Sequence, residues 1–579
     1  MSGQGTAARG GPLARRRRLQ APLIVSEGAV HRSPVGRALE ASMLAKLSPR
    51  RRLRRHAVAG AIGLAMLGAG LPATAADEPQ PDLTRFYRQK VVWKACEGMA
   101  TPDDLQCGKV TVPLDYARPG AGTLDLALAR YRASGEKRGS LLLNFGGPGG
   151  SGVSELAFSD DDFMDLTDGY DVVSFDPRGV GRSSPVSCGN APYGGAGVSA
   201  GTDETLRDPN AVLRQLKAAA EECAKRSGPV LAHIGTVNVS RDMDVIRQAL
   251  GDDKLNYLGF SYGTRLGAVY ATQFPDKVGR VALDGVDTLT ESLARQGVTG
   301  AAGQQVALDD FLDWCVKDVA CPFGQDARTA REEVVRLIRS MDEDPVPTAF
   351  SGEFTGQDLV GALSQALYST DTWPSLERAL AQLIEDGDTS GVEAFATGGF
   401  ALPGLRQGRQ KPSPPADGGL VDQEDVPLDN LTAALLAINC ADDPDRPTAR
   451  EITANLGRLR AMYEEASPVF GRFRLTQVLL CYGRPKGTDF IREKVKDVDS
   501  PKMLLVGTRG DPATPYRWTV QTAKRLGPSA VVLDNKGEGH TAYTSSKCVH
   551  GKVDAFLLYG TLPPNGSSCG PENGERAAP

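Results

Sequence analysis

Gly259-Phe260-Ser261-Tyr262-Gly263, preceded by the apolar run Leu255–Leu258 and followed by the helix-like segment Thr264–Phe274, decides how this chain is read. A serine hydroxyl is a poor nucleophile unless the backbone pushes it out and a base takes its proton. A sharp strand-to-helix turn does the first job, and glycines two residues either side leave room for it. The helix that follows also turns its positive N-terminal end toward the reacting centre. Ser261 is therefore the candidate nucleophile.

Working outward from Ser261, short apolar runs bounded by turn residues predict strands at Lys109–Pro113, Leu124–Ala129, Ser140–Phe145, Asp171–Phe175, Leu255–Gly259, Val278–Leu283, Lys502–Gly507 and Ala530–Leu533. The later runs are continuously apolar, as strands buried on both faces of a parallel sheet are. Helical patterns at Ser240–Leu250, Arg265–Phe274 and Tyr516–Leu526 alternate with them, so the expected class is α/β with a mostly parallel central sheet. Between Leu289 and Leu435 no strand is evident. Helical stretches at Val306–Lys317, Ala330–Met341, Gly356–Tyr368 and Ser375–Glu385 predict an inserted helical lid, closed by the Pro/Gly-rich loop Pro403–Asp429. The expected organisation is thus core at 76–288, lid and loop at 289–435, and core again at 436–579.

The first 75 residues differ from the rest. Arg50-Arg51-Arg52-Leu53-Arg54-Arg55, the 15 apolar residues Ala57–Leu71 and then Ala73-Thr74-Ala75-Ala76 have the form of an export signal. Residues 1–42 read as an upstream extension, with Met43 a more ordinary start, and the arginines leave both the general and the twin-arginine routes open. The apolar run is shorter than a membrane span, so a secreted product without stable membrane association is expected. Without residues 1–75 the 66 basic and 71 acidic residues fall to 53 and 69, a net charge of −16. That balance argues against nucleic-acid partners and favours cationic substrates. The ten cysteines all follow the signal, and pairing neighbours in order gives Cys96–Cys107, Cys188–Cys223, Cys315–Cys321, Cys440–Cys481 and Cys548–Cys569. With no C-x-x-C or H-E-x-x-H motif and no phosphate-binding G-K-[ST], neither metal nor cofactor is expected.

Histidine is scarce, which narrows the search for a base. After the signal only His233, His540 and His550 remain. His540 lies in the turn Lys536-Gly537-Glu538-Gly539-His540 after the last predicted strand, where the order Ser…Asp…His places the base. His233 and His550 are expected to be structural. One strand earlier, Thr508-Arg509-Gly510-Asp511-Pro512-Ala513-Thr514-Pro515 supplies Asp511 as the acid, with Asp534 the lesser rival. The oxyanion hole needs two N–H donors: Tyr262, next after the serine, and Gly147 in the loop Asn144-Phe145-Gly146-Gly147-Pro148-Gly149-Gly150-Ser151-Gly152.

Phe145–Gly152, Asp176-Pro177-Arg178-Gly179-Val180-Gly181-Arg182-Ser183 and Gly259–Thr264 together resemble the secreted tripeptidyl aminopeptidases of Streptomyces, relatives of the prolyl aminopeptidases. Trp93, Cys96, Cys107, Val112–Asp115, Gly510–Pro515 and Gly539-His540 extend the resemblance over most of the chain. It implies an α/β-hydrolase fold, the triad Ser261, Asp511 and His540, and release of short peptides, tripeptides first, from the free N-termini of peptides or proteins through an acyl-enzyme; a monomer is expected. Asp176 and Arg178 would be scaffold. Ile438-Asn439-Cys440-Ala441-Asp442 resembles a recurring family segment and offers Asp442 as counter-charge to the substrate's ammonium. A secreted carboxylesterase or acyl hydrolase with the same triad is the alternative.

Overall fold

The computed structural model of the chain describes residues 81–96, 101–189, 208–348, 352–396, 418–477 and 479–570. The signal, its upstream extension and residues 403–417 of the predicted loop lie outside these. A ten-stranded sheet forms the centre, in the order β1-β2-β3-β5-β4-β6-β7-β10-β11-β12. Its strands are β1 (Lys94–Ala95), β2 (Gln106–Pro113), β3 (Thr123–Tyr131), β4 (Ser140–Asn144), β5 (Asp171–Phe175), β6 (Leu255–Phe260), β7 (Val278–Asp284), β10 (Met503–Gly510), β11 (Ala530–Glu538) and β12 (Ser567–Cys569). From β5 to β12 every pairing is parallel, while β1, β2 and β3 pair antiparallel at one edge.

All eight predicted strands are present because each is an apolar run with a face to bury. Every residue of β4 and β5 is buried, and Leu141, Leu143, Leu258 and Val506 pack on one side of the sheet while Leu142, Tyr257, Leu283 and Leu505 pack on the other. The helix Thr236–Leu250 stops at Gly251, which takes the left-handed conformation at φ 88°. The five disulfides join the cysteines in the expected order.

Between β7 and β10 lies the helical insertion. Its helices include Leu293–Cys315, Ala327–Glu343, Gly356–Ala366 and Trp373–Asp386. Thr355 and Asp358 form a reciprocal cap at the start of the third. The four pack around Phe311, Trp373, Leu359, Leu376 and Val334, an apolar core separate from the sheet's. A two-stranded ribbon, β8 (Val346–Pro347) and β9 (Glu353–Phe354), interrupts the stretch read as free of strands.

The insertion also runs past Leu435. That boundary falls inside the helix Asn430–Asp442, whose Ala433, Ala434, Ala437 and Ile438 join the sheet's own core. The helices Ala449–Ala466 and Phe470–Gln477 then return to the lid, with the Tyr463 hydroxyl donating to the carbonyl of Ala294 at 2.9 Å. Packing thus divides residues 430–477 between the sheet's core and the lid. Among the described residues no helix is long and apolar enough to cross a membrane.

Candidate active site

Ser261 stands between β6 and the helix Tyr262–Gln273 with φ 54° and ψ −122°, a conformation sparsely used by residues with a side chain. Close approach explains the flanking glycines. A Cβ on Gly263 would come within 2.6 Å of the carbonyl of Asn144, and one on Gly259 within 2.6 Å of the carbonyl of Gly263. The glycine loop lies against this turn: a Cβ on Gly146 would stand 3.0 Å from Cβ of Ser261 and 3.2 Å from the amide nitrogen of Tyr262. The amide of Gly146 donates to the side chain of Asn144 at 3.2 Å, while Gly147 is exposed beside it at φ 105°. Both candidate oxyanion donors, Gly147 and Tyr262, thus belong to segments that meet at Ser261.

The imidazole of His540 places Nδ1 2.9 and 3.0 Å from the two oxygens of Asp511. Asp511 is 1% exposed and accepts further bonds from the amides of Ala513 and Thr514 and from the Thr514 hydroxyl at 2.8 Å. Burial works against the imidazolium, yet the charge and hydrogen bond of Asp511 win, so the ring's pKa lies above its ordinary value. Asp534, the rival acid, is spent on a two-pronged pair with Arg509 at 2.6 and 2.8 Å.

Asp284, at the end of β7, ties these parts together and escaped the sequence reading. Its carbonyl accepts the N–H of Ser261 at 2.9 Å. Its Oδ2 accepts the amides of Ala542 and Tyr543, both at 2.8 Å, just beyond His540. Next along the chain, Gly285 lies against the His540 ring, where an added Cβ would be 3.4 Å from Cε1. Oδ1 of Asp284 has no hydrogen-bond partner among the described residues, and burial raises this carboxyl to about 6. The one signal available was an acid closing a central strand, Leu283-Asp284-Gly285, at the carboxyl end where chemistry collects.

Asp442 does not fit the role of an ammonium anchor. It is 6% exposed, and its carboxylate already accepts the amide of Thr236 at 2.9 Å and the Thr236 hydroxyl, and faces Arg265 at 3.6 Å. Arg265 in turn pairs with Asp287 at 2.8 Å, and the Thr236 hydroxyl also bonds that of Tyr262 at 2.6 Å. Asp442 therefore braces the turn from behind, a partnership between residues 206 positions apart that no local pattern reveals.

The remaining motif residues hold loops. Asp176 accepts the Ser151 hydroxyl at 2.7 Å and the amides of Val153 and Arg182, which fastens the glycine loop to the Asp176–Ser183 turn. Arg178 forms a wholly buried pair with Asp242. His233 gives its carbonyl to Arg178 and Asn238, and His550 lies on the helix Lys547–Tyr559. From the lid, the carbonyl of Tyr368 accepts the His540 amide at 2.8 Å, and the two rings meet edge to face at 5.1 Å. Gly303 faces Pro515 so closely that a Cβ would collide with its ring.

A mostly parallel sheet carrying a strained serine turn and a carboxylate–imidazole pair at the ends of β6, β10 and β11 defines an α/β hydrolase of the serine type. Family comparison agrees. Residues 139–382 match the model described as alpha/beta hydrolase fold, and residues 467–569 the model of TAP-like proteins. Over 507 residues the chain is 32% identical to serine protease Hip1 of Mycobacterium tuberculosis, covering 83% of this chain and 91% of that one. It is 30% identical to the tripeptidyl aminopeptidase of Streptomyces lividans over 507 residues, 84% and 88% of the two chains. Carboxylesterase B of M. tuberculosis is 32% identical over 552 residues, 90% and 99% respectively. The chain belongs to the tripeptidyl-aminopeptidase-like family of α/β hydrolases, and it is a serine hydrolase.

Proposed function

We propose that this hydrolase is an exported, monomeric exopeptidase that releases short peptides, tripeptides first, from free N-termini. His540 takes the proton of Ser261 as the hydroxyl attacks the peptide carbonyl. The N–H groups of Tyr262 and Gly147 receive the developing oxyanion. Asp511 holds the ring by Nδ1 and stabilises the imidazolium without taking its proton. The leaving amine departs with the proton from His540, and water then frees the peptide from the serine ester. The observation that carries this reading is the lid seated on the catalytic loops, Tyr368 on His540 and Gly303 on Pro515, a roof that favours chain ends over extended chains. Two relatives named as peptidases and the five disulfides of an oxidising compartment support it. The near full-length similarity to carboxylesterase B favours a second reading, ester hydrolysis by the same residues.

One comparison separates the two. Ala-Ala-Pro-p-nitroanilide is expected to turn over fastest, with Pro-p-nitroanilide slow and the N-acetylated tripeptide slower by about 10²-fold or more, because acetylation removes the charged N-terminus that an exopeptidase recognises. Equal rates on free and acetylated peptides would discard the exopeptidase. Dominant turnover of p-nitrophenyl butyrate would favour the esterase.

A further inference from the structure

Behind the active site, His550, Asp554 and Asp165 bring three electron-pair donors to one point, and the mechanism uses none of them. Nε2 of His550 is 3.1 Å from Oδ2 of Asp554 and 3.8 Å from Oδ2 of Asp165, and all three ligand atoms lie within 4.8 Å of one another. The imidazole is locked in place. Its Nδ1 faces the carbonyl of Tyr543 at 3.2 Å, and the ring stacks on that of Tyr543 at 4.4 Å. A carbonyl can only accept, so Nδ1 carries a hydrogen, and Nε2 is the nitrogen turned to the two carboxylates. Asp554 is aimed in the same way, because its Oδ1 is taken by the Tyr543 hydroxyl at 2.8 Å while Oδ2 turns to the histidine.

Nε2 and two carboxylate oxygens brought this close call for a positive charge among them, either a proton or a metal ion. We infer that His550, Asp554 and Asp165 form a binding site for a divalent transition-metal ion, zinc foremost. Bonds of about 2.0–2.2 Å at tetrahedral angles set ligand atoms roughly 3.3–3.6 Å apart, between the two observed spacings. One nitrogen with two oxygens suits zinc, cobalt or manganese rather than calcium, which takes oxygen ligands. The Tyr543 carbonyl is the outer partner that ligating imidazoles keep. Half-exposed His550 and exposed Asp165 leave a path for the ion and room for water as a further ligand. No sequence motif announced the site, since His550 and Asp554 sit one turn apart on the helix Lys547–Tyr559 while Asp165 comes from the short turn Met164–Asp168.

The ion would act as a clip. Tyr543 stacks on Phe163 at 5.6 Å, Phe163 meets Phe260 at 6.0 Å, and Phe260 precedes Ser261. Binding would therefore fasten the segment after His540 to the aromatic cluster beneath the nucleophile turn.

To test this, untagged full-length protein stripped with EDTA is titrated with zinc by calorimetry and with cobalt(II) by visible absorption. The expected result is one equivalent bound with a Kd of about 10 µM or tighter. A cobalt band is expected at tetrahedral intensity, with a zinc-dependent rise in Tm of a few degrees. Asp165→Asn, at an exposed position, is expected to keep the metal-free Tm and weaken zinc at least tenfold, and His550→Gln to abolish the band. Absence of binding, meaning that only a proton occupies the site, overturns the proposal. So does binding that survives unchanged in both variants.

Discussion

Beneath the serine turn, long-range polar contacts are buried and their partners scattered along the chain, whereas the lid carries an apolar core of its own and meets the site through Tyr368 and Gly303. Asp284 reaches residues 258 and 259 positions away, Asp442 reaches 206, and Arg178 reaches 64. Within the lid, Phe311, Trp314 and Trp373 pack ring against ring at 5.7–5.9 Å, and the third of its helices is capped from within. The difference teaches a division of labour. Geometry at the reacting atoms is fixed by the sheet and its loops, and the helices above them pack around an apolar core of their own.

Variants on either side of the site test this contrast. Ser261→Ala has the largest expected effect, a loss of about 10⁴-fold or more in kcat on peptides and esters alike with Tm unchanged. Retained activity or labelling by a fluorophosphonate would remove the serine from the chemistry. Asp284→Ala strands two buried amides and should cost roughly 2–4 kcal/mol in urea unfolding, with a fall in kcat on every substrate. Asp284→Asn probes the same residue by pH. A carboxyl raised from 3.8 to about 6 in the folded chain stabilises while protonated, and that contribution is lost as pH rises through 6. The asparagine variant should therefore flatten the stability profile between pH 4 and 7 by roughly 1–3 kcal/mol. An unchanged profile would mean that Asp284 is ionised throughout.

On the lid side, Tyr368→Ala is expected to change the ratio of peptide to ester turnover by about tenfold while leaving kcat on p-nitrophenyl butyrate within about threefold. An equal loss on both would place Tyr368 in the chemistry. The smallest expected effect is a displacement along the pH axis. His540 must be neutral to act as base, and Asp511 raises its pKa, so the acid limb of kcat/KM should have its midpoint above the ordinary 6.5. Asp511→Asn should move the residual limb to lower pH.

How much of this was legible depended on the range of the forces involved. β4, β5 and β6 show as apolar runs because both of their faces are covered, and the triad order follows from the succession of strands. The edge strands β1 and β12 are two and three residues long, and disulfides anchor them where no pattern could. The lid's far limit was missed because the helix Asn430–Asp442 owes its place to packing on the glycine loop, where a Cβ on Gly149 would lie 2.8 Å from the carbonyl of Leu431. Asp442 was misread for a similar reason: a carboxylate's function depends on who neutralises it, and Arg265 stands far off in sequence.

The lid leaves and re-enters the sheet between two neighbouring strands. β7 and β10 run side by side, with Leu283 opposite Leu505 and Asp284 opposite Val506, although more than two hundred residues separate them. Whatever chain is spliced between these neighbours must leave and re-enter at one spot, so the entropy of closing it grows only slowly with its length. Such a seam lets evolution, or an engineer, lengthen or shorten the cap, provided the helix Asn430–Asp442 that braces the nucleophile turn is kept.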